Sequence, residues 1–201
     1  MTELNNLENY KKSKLTIDIT KANIIGIVML IPITLIYGVL FYLINDTDLI
    51  LSNFKSSFKN IDSSFGEFGI PLIFLLTTLF GIIIHELIHG ITWALFAKKG
   101  FKSIKFGVLW KLMTPYCHCK EPLLLKHYIL GAIMPAIILG FLPAIYSIIT
   151  GNIWLLIFAI FFTLAAIGDF LVIKLIRKEK NDSLVQDHPS EAGCYIYHID
   201  N

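Results

Sequence analysis

The stretch of sequence from Ile70 to Ala97 reads IPLIFLLTTLFGIIIHELIHGITWALFA. It contains no lysine or arginine, and Glu86 is its one acidic residue. A helix of about 20 apolar residues crosses the hydrocarbon core of a bilayer, so this stretch predicts a membrane-spanning helix. Ionisable side chains within such a helix are costly and usually face a functional interior. His85, Glu86 and His89 therefore mark the part of the chain where we expect function.

The rest of the chain continues the apolar pattern. Hydrophobic residues make up 55% of the 201 residues and charged residues 16%, whereas soluble domains contain about 25% charged residues. Three further stretches are long and apolar enough to cross a membrane: Ala22 to Ile44, Tyr128 to Ile149 and Ile153 to Ile173. This composition excludes a disordered chain and a nucleic-acid-binding domain. The sequence predicts an all-α polytopic membrane protein with four transmembrane helices, in a single domain over residues 1–201.

Lysine and arginine are distributed unevenly among the segments between the spans. Of the 17, two lie in the loop after the first span, and the other 15 lie in the two tails and the loop after the second span. Since cytoplasmic segments are enriched in lysine and arginine, we predict that both termini and the Ala97–Lys126 loop are cytoplasmic. Residues 1–21 are then a cytoplasmic tail, and residues 22–44 are an added span that is retained. The predicted location is the cell membrane, with a multi-pass topology.

The HExxH motif formed by His85, Glu86 and His89 predicts a zinc site. Two histidines four residues apart lie on the same face of a helix and can reach one metal ion. Glu86 lies beside that face, where its carboxylate can act as the general base for a water molecule. The motif thus predicts hydrolysis, with His85 and His89 as Zn²⁺ ligands and Glu86 as the catalytic residue. The alternative is a set of hydrogen bonds between helices, although packing requires neither this order nor this spacing.

A hydrolytic zinc site needs a third protein ligand and leaves a fourth position for water. Asp169 is the leading candidate, because it is the one carboxylate in the fourth span. At 1.5 Å per residue, His89 and Asp169 lie about 13 and 8 Å from the lysines that follow their spans, and hence in the same leaflet. Two alternatives stay open. In the first, Asp169 snorkels towards the membrane boundary or caps the packing of the helical hairpin. In the second, Asp187 and His188 in the C-terminal tail provide the ligand.

The loop between the second and third spans carries two further signals. Ser103–Trp110 alternates polar and apolar residues and Met113–Lys120 is short, so the pair predicts a β-hairpin at the membrane surface. A hairpin edge can hold an extended substrate by strand addition, and an amphipathic surface loop is the alternative. Cys117, His118 and Cys119 raise the idea of a second metal site. One Cys-x-Cys without another pair is more typical of ordinary thiols.

In these motifs the chain resembles a bacterial family of small membrane proteins described as "putative zincin peptidases", over about residues 70–195. The shared features are the HELxHG core at residues 85–90, the Gly168-Asp169 pair and the short tail at residues 187–194. The pattern is also similar to that of the site-2 intramembrane metalloproteases. Residues 131–135, Gly-Ala-Ile-Met-Pro, add to this similarity.

In site-2 proteases the HExxH histidines and an aspartate of a later span bind zinc. The resemblance therefore implies that His85, His89 and Asp169 are the ligands and that Glu86 is the catalytic base. The chain lacks the Asn-Pro and Leu-Asp-Gly signatures of site-2 proteases, and Gly-Asp-Phe at residues 168–170 replaces the latter. This departure concerns the substrate channel and the substrate class rather than the metal chemistry.

These inferences predict a zinc-dependent membrane-embedded peptidase that hydrolyses a peptide bond at or within the membrane. Its expected partners are a membrane protein or peptide substrate and the lipid bilayer, with no nucleic acid. The alternative is a non-catalytic membrane protein that uses the cluster for metal or proton transport. Transport normally places polar groups along a whole pathway, whereas here they cluster in one leaflet. Another alternative is a structural zinc ion that only holds the helices together. In such a site the fourth coordination position is not open to water.

Overall fold

The computed structural model describes residues 10–110, 114–189 and 191–199. Four of its helices are long and apolar enough to cross a membrane, as the sequence predicts, and they cover Ile19–Ile44, Gly69–Ala94, Leu125–Thr150 and Ile153–Ile176. The helical elements are α1 (Ile19–Ile44), α2 (Thr47–Phe65), α3 (Gly69–Ala94), α4 (Leu125–Pro135), α5 (Leu142–Thr150), α6 (Ile153–Ala165) and α7 (Ile167–Ile176). A π-helical segment, Ala136–Phe141, joins α4 to α5, directly after a proline that has no N–H to donate.

The last two spans form the tight helical hairpin that their short separation predicts. Gly151 ends α5 with a φ of 70°, a left-handed conformation that glycine adopts without strain. Asn152 then caps α6, because its side-chain oxygen accepts the backbone N–H of Leu155 at 3.1 Å. Two residues are therefore enough to reverse the chain.

The first loop contains a helix that the sequence analysis does not predict. Asp46 caps the start of α2 by accepting the backbone N–H of Asp48 at 2.8 Å, and Gly66 ends it with a φ of 66°. Polar and apolar residues alternate along α2 with helical periodicity, which is typical of a helix that lies along a membrane surface. A search for spans overlooks such a helix, because its average hydrophobicity is low.

Two of the strands form the predicted hairpin. β2 (Ile104–Leu109) pairs antiparallel with β3 (Thr114–Cys119), with Ile104 opposite Cys119. The predicted second half of the hairpin starts at Met113, which lies outside the described residues. The hairpin interpretation is thus confirmed over the alternative of an amphipathic surface loop.

A four-stranded antiparallel sheet is the largest departure from the sequence-based prediction, which treats both ends of the chain as polar tails. Its strand order is β1-β6-β5-β4, and its strands are β1 (Tyr10–Thr16), β4 (Leu123–Leu124), β5 (Leu184–Asp187) and β6 (Gly193–Ile199). Val185, Cys194 and Ile196 are fully buried in it. The segment before the first span is therefore joined by strand pairing to the segment after the last span.

The chain divides into two compact units. The first comprises Met1–Ile24, Glu86–Met134 and Ile167–Asn201, and the second comprises Ile25–His85 and Pro135–Ala166. The first unit contains both sheets, and its core includes the buried side chains of Trp93, Leu123, Tyr128, Ile176 and Val185. The second unit is helical. In it the Asn45 amide donates to the carbonyl oxygen of Ile148 at 2.8 Å, and Tyr37 and Thr163 share a hydrogen bond of 3.2 Å.

The topology can be tested by labelling single cysteines in intact cells. With the three native cysteines replaced by alanine, we expect Glu67→Cys and Asn152→Cys to react with an impermeant maleimide. Lys102→Cys should react only after permeabilisation, because its loop carries the positive charge of the cytoplasmic side. All three residues are exposed. The cysteine-free protein is the control, and ready labelling at residue 102 from outside would reverse the orientation.

Candidate metal centre

The three residues of the HExxH motif lie in the second half of α3. The i and i+4 positions place His85 and His89 one above the other on the same face, and both side chains are buried, with 7% and 4% of their surface exposed. Glu86 is half-buried. Helical periodicity alone therefore gives the two imidazoles a shared direction and places the carboxylate next to them.

His89 is held in one orientation by its neighbours. Its Nδ1–H donates to the carbonyl oxygen of Gly131 at 2.8 Å, since a carbonyl can only accept. Its ring stacks on Trp93 at 5.0 Å between centroids, and Trp93 stacks on Tyr128 at 5.3 Å. The indole N–H of Trp93 donates to the carbonyl oxygen of Tyr128 at 3.1 Å. These contacts fix the tautomer and leave the Nε2 lone pair available to a metal, which is how metal-binding histidines are usually oriented.

Asp169, near the start of α7, faces that nitrogen. Its Oδ1 lies 3.4 Å from His89 Nε2. Two ligands at about 2.1 Å from a tetrahedral zinc ion are themselves about 3.4 Å apart. The ligand atoms of His85, His89 and Asp169 all lie within 4.8 Å of one another. Two imidazoles and one carboxylate are a donor set that zinc favours, so the residues fit the ion.

Asp187 is the rival ligand in the tail, and it has a different set of contacts. Its Oδ1 accepts the hydroxyl of Tyr128 at 2.5 Å, and its Oδ2 accepts the backbone N–H of Cys119 at 2.7 Å. Burial raises the pKa of Asp187 to about 6, although both hydrogen bonds act to lower it. Asp187 thus joins β5 to β3 and to α4, and both of its oxygens are engaged. His188 Nδ1 accepts the backbone N–H of Glu191 at 2.9 Å. These contacts favour Asp169 as the third ligand, and the assignment stays a prediction.

The Cys-x-Cys pair in β3 has the properties of ordinary thiols. Burial raises the pKa of Cys119 to about 12, and its Sγ–H donates to the carbonyl oxygen of Glu121 at 3.4 Å. Burial also raises the pKa of Cys117 far above its usual range. Since metal ions bind the thiolate, protonated thiols do not favour a second metal site here.

The hairpin lies directly against the HExxH helix. A Cβ atom on Gly90 would meet Phe106 Cζ at 2.5 Å and the Ile104 side chain at 3.1 Å. Gly90, the residue that follows the motif, therefore allows β2 to approach the α3 backbone closely. The hairpin therefore packs on the turn of α3 that follows the motif.

Sequence reasoning did not find the residues that orient His89. The carbonyl of Gly131 and the rings of Trp93 and Tyr128 lie outside the HExxH motif, and the types of these residues do not mark them as partners of a histidine. Gly131 was the one available signal, since a glycine inside a span often marks close packing. A Cβ atom there would overlap the indole of Trp93.

Gly131→Ala is therefore expected to lower the free energy of unfolding by about 1–3 kcal/mol and to weaken zinc binding. The added methyl group pushes Trp93 away from the position where it stacks on His89. Thermal unfolding in detergent and zinc content after mild chelation would measure both effects. Gly38→Ala is the matched control, because a Cβ atom at that helical position has no neighbour within 4 Å among the residues that the structure describes. Equal behaviour of the two variants would contradict the packing argument.

A helix with HExxH and a nearby third carboxylate is the arrangement of the zincins, a class of zinc peptidases. The profile of a family described as "Putative zincin peptidase" matches residues 78–184, more than half of the chain. The chain belongs to this family. No curated protein and no solved structure matches it significantly. Membership supports a peptidase that uses zinc, and it does not favour the alternative of metal or proton transport.

Proposed function

We propose that the protein is a zinc-dependent peptidase that hydrolyses a peptide bond at or within the membrane. The observation that carries this proposal is the group formed by His85, His89 and Asp169, whose ligand atoms lie within 4.8 Å on helices long enough to cross a membrane. Glu86 stands next to this group on α3. In this proposal the three residues hold Zn²⁺ and Glu86 is the catalytic residue.

Zinc bound by this group supplies Lewis acidity, which polarises a peptide carbonyl and makes water more acidic. The side chain of Glu86 takes a proton from the attacking water and returns it to the leaving amine. The hydrogen bond from His89 to Gly131 keeps the imidazole in one tautomer throughout the reaction. The stack of His89 on Trp93 limits the movement of that ring. In this proposal His89 keeps a fixed orientation as a ligand, and Glu86 carries the proton from the water to the leaving amine.

The hairpin provides a surface for the substrate. β2 pairs with β3 along one edge and packs on α3 at Gly90. A peptide in extended conformation can add to the hairpin as a further strand, with backbone hydrogen bonds that do not depend on its sequence. The expected substrate is therefore a membrane protein or peptide with an extended segment at the membrane surface.

The proposed location is the cell membrane, with four spans and both termini in the cytoplasm. Pairing of β1 with β6 supports an even number of spans, because it joins segments that precede the first span and follow the last. The excess of lysine and arginine in the same segments supports the cytoplasmic side. An HExxH span combined with an aspartate in a later span is similar to the pattern of site-2 proteases, which supports cleavage within the membrane.

The proposal can be tested by combining metal removal with product analysis. Purified protein in vesicles is incubated with peptides derived from membrane proteins, and new chain ends are identified by mass spectrometry. We expect discrete cleavages that stop when a chelator removes the metal and resume when Zn²⁺ is added back. Vesicles without the protein are the control. Cleavage that persists after complete zinc removal would contradict the proposed chemistry.

A further inference from the structure

The helical unit contains an apolar cavity of about 510 Å³. It lies between the end of α2, the first half of α3 and most of α6. Its walls are mostly aliphatic and aromatic, and they include Ile70, Phe74, Ile157, Phe158, Phe161 and Phe162. Its volume is within the range of about 300–1,000 Å³ that small-molecule sites occupy. At the end of the cavity formed by Phe162, the ring of this residue packs against Gly81. The contact is so close that a Cβ atom on Gly81 would overlap the ring.

A polar pocket of about 280 Å³ shares one wall with the apolar cavity. α2 contributes Asn53, Ser56 and Ser57, and the turn between α5 and α6 contributes Thr150 and Asn152. The described residues that line it include no lysine, arginine, aspartate or glutamate. Amide and hydroxyl groups both donate and accept hydrogen bonds, so this lining suits an uncharged group rich in hydroxyls.

Trp154 is the wall that the two spaces share. Its ring stacks on Phe54 of α2 at 5.2 Å between centroids, with 22° between the ring planes. The Nε1 atom is buried, and none of the groups that the structure describes accepts its hydrogen. A buried donor is unfavourable unless an acceptor is supplied. The residue that the two linings share therefore carries a donor without an acceptor among the described groups, and an ester carbonyl is an acceptor of the required kind.

The depth of the apolar cavity corresponds to one leaflet. Its lining starts at the second residue of α3, Ile70, and at the second residue of α6, Trp154, and it extends to Thr78 and Phe162. Eight residues of helix rise about 12 Å, and one leaflet contributes about 15 Å of hydrocarbon. The cavity thus runs from the membrane boundary inwards, in the direction of the acyl chains.

We propose that these two spaces bind one membrane glycerolipid. An acyl chain fills the apolar cavity, an ester carbonyl accepts the Trp154 N–H, and a headgroup that bears hydroxyls occupies the polar pocket. A helix of a partner protein does not fit, because a cylinder about 10 Å across and 12 Å long fills about 900 Å³. The lipid is concentrated in the surrounding bilayer and matches both linings. This inference does not rest on the proposed peptidase activity.

Native mass spectrometry of the detergent-purified protein tests the proposal, with a dioleoyl glycerolipid that bears one uncharged sugar (dioleoyl glucosylglycerol) as the probe. We expect wild type to retain one lipid per chain. Ile157→Trp fills the cavity and should weaken retention at least about tenfold. Ile145→Trp makes the same change at an exposed position of α5 that does not line the cavity, and it should bind like wild type. Trp154→Phe keeps an aromatic ring without the donor and should bind about fivefold more weakly.

Dioleoylphosphatidylcholine, which has the same chains, tests the headgroup. Its trimethylammonium group donates no hydrogen bonds, so we expect retention at least about threefold weaker than that of the glucosyl lipid. Circular dichroism and thermal unfolding check that each variant is folded. Failure of wild type to retain lipid, or equal weakening by Ile157→Trp and Ile145→Trp, would overturn the site. Unchanged binding by a folded Trp154→Phe variant, or equal retention of the two lipids, would overturn its proposed headgroup end.

Discussion

Glu86→Gln is expected to reduce the rate of peptide cleavage by about 10²–10⁴-fold while leaving zinc content and thermal stability unchanged. Glutamine has nearly the same shape as glutamate but cannot take up a proton, so the substitution removes the base without removing a metal ligand. The rate would be measured in vesicles with a peptide identified as a substrate of wild type. Zinc would be quantified by mass spectrometry on the same preparation.

Glu67→Gln is the matched control for this experiment. Glu67 is exposed in the turn between α2 and α3. It therefore lies at the opposite end of α3 from the HExxH motif. The same chemical change at this position should leave the cleavage rate at the wild-type value. A Glu86→Gln variant that cleaves at a rate close to that of wild type would show that the proposed mechanism is wrong.

Asp169→Ala is expected to lower zinc affinity by at least about 100-fold. Loss of a group that only orients a ligand already costs about 10- to 100-fold, and Asp169 is proposed to contact the metal itself. Its Oδ1 is 3.4 Å from His89 Nε2, the atom that the Gly131 hydrogen bond leaves available. Zinc retained by the detergent-purified variant would be measured at increasing chelator concentrations.

Asp187→Asn and His188→Ala separate the two candidate sources of the third ligand. Asp187→Asn should lower the melting temperature, because the buried carboxylate accepts hydrogen bonds from Tyr128 and Cys119. Both tail variants should keep their zinc. Full zinc occupancy in Asp169→Ala together with loss in either tail variant would move the third ligand to the tail. The assignment of His85 and His89 would be unaffected.

The spans and the HExxH motif could be predicted from sequence because their signals are local. A run of apolar residues specifies a span without reference to the rest of the chain, and the i, i+4 spacing of His85 and His89 specifies a shared helix face. The proximity of Asp169 to His89 could be predicted from their depth in the membrane alone. The second and fourth spans run in the same direction, and both residues lie a similar number of residues before the end of their span. The structure places Asp169 beside His89.

The four-stranded sheet could not be predicted in this way. β1 and β6 pair with each other although almost the whole chain separates them in sequence. β-propensity also depends strongly on what each strand packs against. This sheet also determines the contacts of Asp187. From the sequence, Asp187 is a candidate metal ligand, but the pairing of β5 brings it to Tyr128 and Cys119. Long-range pairing therefore changed the interpretation of one candidate ligand.

The pairing of β1 with β6 also sets an order of events during synthesis. The ribosome makes β1 before the first span and β6 after the last, so β1 waits for its partner until all four spans have been translated. At about 5–20 residues per second, this delay is roughly 10–40 s. Asp169 also emerges long after His85 and His89. A nascent chain therefore carries its two histidines well before Asp169, the proposed third ligand, and the metal group can assemble only after the fourth span has been made.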